Sequence, residues 1–296
     1  MLFHIRHQLS YRYTRPVFLE PMVLRLTPRQ DASQRLLRRR LSLQEPPAGL
    51  SRVLEADGNA VEVAWFDHQR DRLTIELELL VETLRTNPFD WIVTDPQASR
   101  LPMTYGPEER HSLGPCLGGE IAPEVRRWAG DLAAEAGGST TAFLMHLADR
   151  IHHGFHHIGR LDGAPLTPEQ TLAGRSGACR DTAMLYVAAC RSLGLAARFV
   201  SGYSMHHPEE VSEHELHAWA EVYVSGGGWR AYDPSLGLAV ADGHVTLAAA
   251  PDHALAAAVS GHYRGSGVGS ELAYAVRVQA AESLVTLEAK ASEVPN

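Results

Sequence analysis

The chain has 296 residues, of which 45% are hydrophobic and 21% charged, the composition of an ordinary soluble globular protein with room for two domains. Its 27 basic and 35 acidic residues leave a formal charge of -8, which argues against nucleic acid or an anionic membrane as the main partner. The opening stretch Met1-Leu-Phe-His-Ile-Arg-His-Gln8 reads as a strand rather than a signal peptide. The Ala-rich stretch 247–260 is broken by Pro251, Asp252 and His253, so it is not expected to span a membrane.

In chain order, the first elements carry a period of two. Leu37, Leu41 and Leu43 alternate with Arg38, Arg40 and Ser42, and Asp57-Gly58-Asn59 supplies a turn before Val61, Val63 and Trp65. Leu73, Ile75, Leu77, Leu79 and Val81 alternate with Thr74, Glu76, Glu78, Leu80 and Glu82. Residues 1–87 are therefore expected to form an antiparallel β-domain, with the basic run Arg35 to Arg40 on a solvated strand face. Residues 88–120 hold five prolines and several glycines and are expected to be an irregular connection.

Helical signals follow. Pro123 suits a first helical position before Val125, Trp128, Ala129 and Leu132, and Gly137-Gly138 ends that segment. Phe143, Leu144, Leu147 and Ile151 share one helical face, and Thr167-Pro168 opens a short helix closed by Gly174. A further helix runs from Cys179 through the apolar stretch Ala183 to Cys190. Strands return from Ala196 and end with Leu272, Tyr274, Val276 and Val278 alternating, so residues 88–296 are expected to form an α+β domain.

Three cysteines, Cys116, Cys179 and Cys190, do not make a disulfide framework. Cys179 and Cys190 would lie about 16 Å apart along one helix, beyond the roughly 7 Å between Cα atoms that a disulfide allows. Cys190 reads as core filler, and a reducing, cytoplasmic setting is expected.

Cys179 carries the strongest functional signal. It stands in Gly174-Arg-Ser-Gly-Ala-Cys-Arg-Asp181, at the first turn of a buried helix, where unpaired backbone N–H groups and the helix dipole favour a thiolate. His217 lies in Leu216-His-Ala-Trp-Ala-Glu-Val-Tyr223 and Asp233 in Tyr232-Asp-Pro-Ser235, giving a nucleophile, a base and a group to orient the base. On the strand of His217, Leu216, Ala218, Ala220, Val222 and Val224 form a small apolar face. His217, Trp219, Glu221 and Tyr223 form the other, with Trp219 placed to shield the imidazole. Whether Asp233 shares that face depends on the turn around Ser225-Gly-Gly-Gly228. A loop of residues 225–228 sets Asp233 against Ala220 and turns it away; a loop of 224–228, or a bulge, sets it against Trp219 with His217 as its diagonal neighbour.

Gly177-Ala-Cys-Arg-Asp181, Cys190-Arg-Ser-Leu-Gly-Leu-Ala-Ala-Arg-Phe-Val-Ser-Gly-Tyr203, His217-Ala-Trp-Ala-Glu-Val-Tyr223 and Gly228-Trp-Arg-Ala-Tyr-Asp-Pro-Ser235 together resemble the bacterial branch of the transglutaminase-like superfamily. Tyr11-Arg-Tyr13, Pro16-Val17, Leu24-Arg-Leu-Thr-Pro28 and Asp57-Gly-Asn59 resemble the β-domain that precedes such cores. The resemblance implies a papain-like transglutaminase core, with Cys179, His217 and Asp233 as a catalytic triad for amide acyl transfer through a thioester. Water resolving the thioester makes a protease or amidase; an amine makes a true transglutaminase. The implied substrate is a peptide, a protein or an amide-containing small molecule, with no cofactor.

The sequence also departs from the family pattern. Arg180 follows the cysteine where glutamine is frequent, and His157 in Phe155-His156-His157 stands where an aromatic residue helps bind the oxyanion; both are expected near the substrate. The segment Gly261 to Gly269, beyond the Asp252-His253 motif, is shortened. His152, His153, His156 and His157 contain i, i+4 pairs, but no Cys or Glu nearby completes a metal spacing and Gly154 weakens the helix, so no metal is expected. Asp181 is explained by the helix dipole, and Arg198 and Tyr203 by their strand. The rival class is a non-catalytic peptide-binding module on the same fold.

Overall fold

A computed structural model describes residues 1–93, 95–159, 163, 165–206 and 216–287. The amino-terminal part supplies β1 (Leu2–Leu19), β2 (Met22–Leu24), β3 (Gln34–Gln44), β4 (Gly49–Leu54), β5 (Ala60–Trp65) and β6 (Arg70–Thr83). The helical part contains α1 (Pro107–Leu117), α2 (Pro123–Glu135), α3 (Thr140–Gly154), β7 (His156–His157), α4 (Pro168–Gly174), β8 (Ser176–Gly177) and α5 (Cys179–Ser192). There follow β9 (Ala197–Ser204), β10 (His217–Val224), β11 (Gly228–Asp233), β12 (Leu238–Ala239), β13 (His244–Ala250), β14 (Val259–Ser260), β15 (Tyr263–Arg264) and β16 (Ser270–Ala281). The whole is a mixed α+β fold with antiparallel principal sheets.

The end of the chain returns to its beginning. β1 pairs with β6 on one side and with β16 on the other, and β14 and β15 pair with β2 and β1. Residues 259–281, expected with the second unit, thus join the sheets of residues 1–87. Alternation of Tyr274, Val276 and Val278 marks a strand with one buried face, but it does not say which neighbour supplies the hydrogen bonds. A shared core seals the arrangement: Phe3, Ile5, Leu24 and Leu79 are buried in one cluster with Tyr203, Val245 and Leu247.

Two local expectations change for identifiable reasons. A register shift between Leu36 and Arg38 leaves Leu37 43% exposed and turns Arg39 inward onto Glu62 at 2.7 Å, so the basic run is not wholly a solvated face. The proline-rich connection contains α1, because Pro107 occupies an early helical position, where its missing N–H costs nothing, and Glu108 and Glu109 follow in the first turn.

The other helices follow their caps. Ser139 caps α3, and Thr167 with Gln170 forms a capping box on α4. Phe143, Leu144, Leu147 and Ile151 of α3 are buried as one face, and α5 is buried along most of its length from Asp181 to Cys190. α5 packs on the sheet ordered β12-β11-β10-β9-β13.

The outer edge of β13 is closed by the amino-terminal part. Gln34 exchanges two hydrogen bonds with the Thr246 backbone, both 2.8 Å, and Asn59 does the same with Ala249 at 2.9 and 3.1 Å. These amides act as substitute peptides on an edge strand. The Asp57-Gly-Asn59 turn therefore has a second role: Asn59 is fully buried beneath it. Among the described residues, no helix is long and apolar enough to cross a membrane.

Candidate active site

Cys179 is the first residue of α5 and is half-buried, whereas Cys116 and Cys190 are buried. Its local frame is set by Asp181, whose fully buried carboxylate accepts from the Ala178 N–H and the Leu166 N–H, both at 2.8 Å. The helix-dipole explanation of Asp181 is thus incomplete, since the carboxylate also ties a neighbouring segment to the cysteine turn. Gly177 is needed for this close approach, because a Cβ there would lie 2.8 Å from Asp181 Cβ. Cys179 packs against the buried cluster that contains Ala183, Phe199 and Ala218, the last of these next to His217 in β10.

The glycine turn resolves the register. Val224 pairs with Gly228 and Tyr223 with Trp229, so the loop proper is residues 225–227 and the ladder runs to Ala220↔Tyr232. Continued by one residue, this register sets Asp233 against Trp219, the alternative in which His217 is a diagonal neighbour. His217 Nε2 donates to Asp233 Oδ2 at 2.6 Å. Its Nδ1 is not used by Asp233, and Cys179 is among the groups that raise the proton affinity of the ring. Trp219 is fully buried with its ring 6.0 Å from that of His217. Gly202, paired with His217 across β9, makes room for the indole: a Cβ there would lie 2.7 Å from Trp219 and 2.0 Å from the Val245 carbonyl oxygen.

Asp233 is the most heavily solvated group in the site, by protein rather than by water. Its Oδ1 accepts from the Ser235 N–H, the Ser235 hydroxyl and the Leu236 N–H at 3.0, 2.7 and 3.2 Å. Its Oδ2 accepts from His244 Nε2 at 2.9 Å as well as from His217. The Ser235 carbonyl in turn accepts from His152 Nδ1 at 2.8 Å, so the histidine-rich end of α3 braces the Asp-Pro-Ser loop.

The electrostatics follow from this geometry. Burial alone would depress the pKa of His217. The charge and hydrogen bond of Asp233, with those of Cys179, overcome it and hold the imidazole well above its ordinary range. Burial would raise Asp233, but the charge and hydrogen bond of His217, with the bond from His244, bring it well below the usual carboxylate range. His244 is itself lowered, because burial outweighs its bond to Asp233.

His217, Asp233 and His244 present ligand-type atoms within 4.8 Å of one another. Ligands on a tetrahedral zinc ion sit roughly 3.3 Å apart, given metal bonds of about 2.05 Å. The 2.6 and 2.9 Å separations are instead hydrogen-bond lengths, and both protons are needed to hold them.

The remaining expected residues separate. His157 pairs with Gly177 between β7 and β8, and its Nε2 donates to the His152 carbonyl at 3.2 Å. Arg180 is half-buried in the first turn of α5. Arg198 pairs with Glu221 at 2.6 Å and stacks on Trp229, and the buried Tyr203 hydroxyl bonds His7, so both serve structure. His244 was not anticipated from the sequence; a histidine opening a strand carries no mark of the carboxylate it will meet.

The fold and this arrangement define a transglutaminase-like α+β protein with a half-buried cysteine at a helix start and a buried histidine–aspartate pair on the sheet that the helix packs on. Residues 3–82 match the family described as the bacterial transglutaminase-like N-terminal region, and residues 129–234 match the transglutaminase-like superfamily core. Together these matches cover more than half of the chain, which belongs to the transglutaminase-like superfamily. It is 27% identical over 236 residues to the uncharacterized protein Rv2569c of Mycobacterium tuberculosis, covering 75% of this chain and 73% of that one. It is 30% identical over 97 residues to the uncharacterized protein ML0607 of Mycobacterium leprae, covering 31% and 33%. The crystal structure of a proposed cysteine protease from Cytophaga hutchinsonii superposes with a TM-score of 0.70 at 19% identity, covering 96% of this chain and 92% of that one, a likeness of fold.

Proposed function

We propose that the protein is a cysteine-dependent amide acyl-transfer enzyme, with Cys179 as nucleophile, His217 as base and Asp233 as the group that orients it. The observation that carries this reading is the buried His217 Nε2–Asp233 Oδ2 hydrogen bond of 2.6 Å, on a ring whose proton affinity Cys179 also raises. Its raised affinity for a proton suits it to take the one Cys179 gives up.

In the first half-reaction the Cys179 thiol proton passes to His217 Nδ1 as Sγ bonds the amide carbonyl carbon. The carbonyl π electrons move onto oxygen, for which the Cys179 backbone N–H is the proposed first donor; such a donor is worth roughly 2.7–4 kcal/mol. Collapse of this intermediate breaks the C–N bond, and the departing amine takes the proton from the imidazolium. In the second, water attacks the thioester, its proton passes to His217, and collapse releases a carboxylic acid while the proton returns to Sγ. Asp233 stays ionised throughout and stabilises the imidazolium. Hydrolysis is the proposed outcome, since water is always at hand; an amine in its place would form a new amide.

Mass spectrometry of a mixed peptide pool with a primary amine, comparing wild type with Cys179→Ala, tests the reading. Cleaved peptides that depend on Cys179 support hydrolysis. Amine adducts that depend on Cys179 would move the assignment to transamidation, and an unchanged pool would assign the fold to binding.

A further inference from the structure

Asp233 Oδ2 accepts two imidazole N–H groups where an acyl-transfer site of this kind needs one. We propose that His244 is a positioning residue for the reaction: by sharing Oδ2 it locks the Asp233 carboxylate and limits how tightly Asp233 holds the His217 imidazolium. This rests on the assignment of Cys179 and His217 given above.

The geometry separates the two histidines. His217 keeps its second nitrogen clear of Asp233 and is acted on by Cys179, whereas His244 Nδ1 is buried with no hydrogen-bond partner among the described residues. A protonated His244 would leave an N–H stranded there, so the ring is held neutral, with its one proton on Nε2 facing Asp233. Its lowered proton affinity agrees with that state. The groups acting on it are Asp233 at the end of β11, His217 at the start of β10 and His206 just beyond β9. The fully buried Trp219 ring packs edge-on to it at 5.0 Å. His244 therefore gives a fixed hydrogen bond and exchanges no proton during the reaction.

A second set of contacts shows that its placement is built. His244 begins β13, and the edge of that strand is held by the amides of Gln34 and Asn59. The Thr83 hydroxyl donates to the Asp242 carbonyl at 2.8 Å, two residues before it. The amino-terminal β-sheets thus reach the reacting groups through β13 and His244.

Sharing has a chemical consequence. A carboxylate that spends one lone pair on a neutral donor attracts the imidazolium less, so His217 can release its proton to the departing amine. Removing the His244 N–H should raise the pH at which His217 titrates by about one unit. The test is a histidine ring nitrogen NMR titration of the full chain, with His217 assigned by His217→Gln. Wild type is compared with His244→Phe, His244→Asn, whose amide falls short of Oδ2, and His244→Gln, whose amide reaches it.

The expected result is an upward shift of His217 in the Phe and Asn variants, with Gln close to wild type. An unmoved His217 in every variant, or a shift in Gln as large as in Phe, overturns the proposal; if Phe fails to fold, Asn against Gln decides alone. Iodoacetamide labelling of Cys179 in the same samples keeps the underlying assignment separate. A wild-type Cys179 that reacts only as a free thiol does overturns the nucleophile, whatever the His217 titration shows.

Discussion

His217 Nε2 and Asp233 Oδ2 meet at 2.6 Å although the sheet register sets Trp219, not His217, opposite Asp233. The contact is diagonal, and it depends on the glycine turn enclosing residues 225–227. Asp233 also accepts five hydrogen bonds in all, which leaves its carboxylate no freedom to rotate.

Asp233→Asn should therefore do two kinds of damage. An amide presents N–H groups to donors already in place, so His217 loses the partner that fixes its tautomer. Turnover should fall by about 10⁴-fold, the scale seen when a triad carboxylate becomes an amide. Stability should fall by about 1–3 kcal/mol for each donor left unpaired. Turnover of a Cys179-dependent substrate and the urea midpoint, measured side by side, check both effects.

Much of this site was legible in the residues and part of it was not. Cys179 could be placed because Gly-Ala-Cys-Arg-Asp leads directly into an apolar helical run, and a helix start is a local property. The facing of Asp233 turned on one residue of loop length, which a run of three glycines does not reveal. His244 was invisible, since β13 reaches Asp233 only because it pairs with β9, a non-local choice. The same limit explains β16, whose alternation names a buried face but not its partner β1. The bulge that exposes Leu37 has no mark in a run of arginines and leucines.

Buried histidines should give the protein opposite responses to acid and base. His217 is raised, so its contribution is full below about pH 6.5, the ordinary histidine value, and is lost as pH climbs through its higher folded value. His244 and His7 are lowered by burial, so the unfolded chain takes up protons that the folded one refuses, and stability drops as pH falls below about 6.5. His7, pushed down to about 4, should account for a loss on the order of 3 kcal/mol between about pH 6.5 and 4. Urea unfolding at several pH values should show a much flatter acid limb in His7→Gln.

Asn59→Ala should weaken the protein out of proportion to its place beside a surface turn. It strands the Ala249 N–H and carbonyl inside the protein, at about 1–3 kcal/mol for each group. Because β13 also carries His244, Cys179-dependent turnover should fall in the fraction that remains folded. Chemical denaturation and turnover of the soluble protein measure the two losses.

The reactivity of Cys179 tests the central claim most directly. Iodoacetamide labelling at neutral pH, followed by intact-mass spectrometry, should modify Cys179 much faster than a free thiol, while Cys116 and Cys190 stay protected by burial. His217→Ala should reduce the rate to that of an ordinary cysteine. Slow labelling in wild type, unchanged by His217→Ala, would contradict the account.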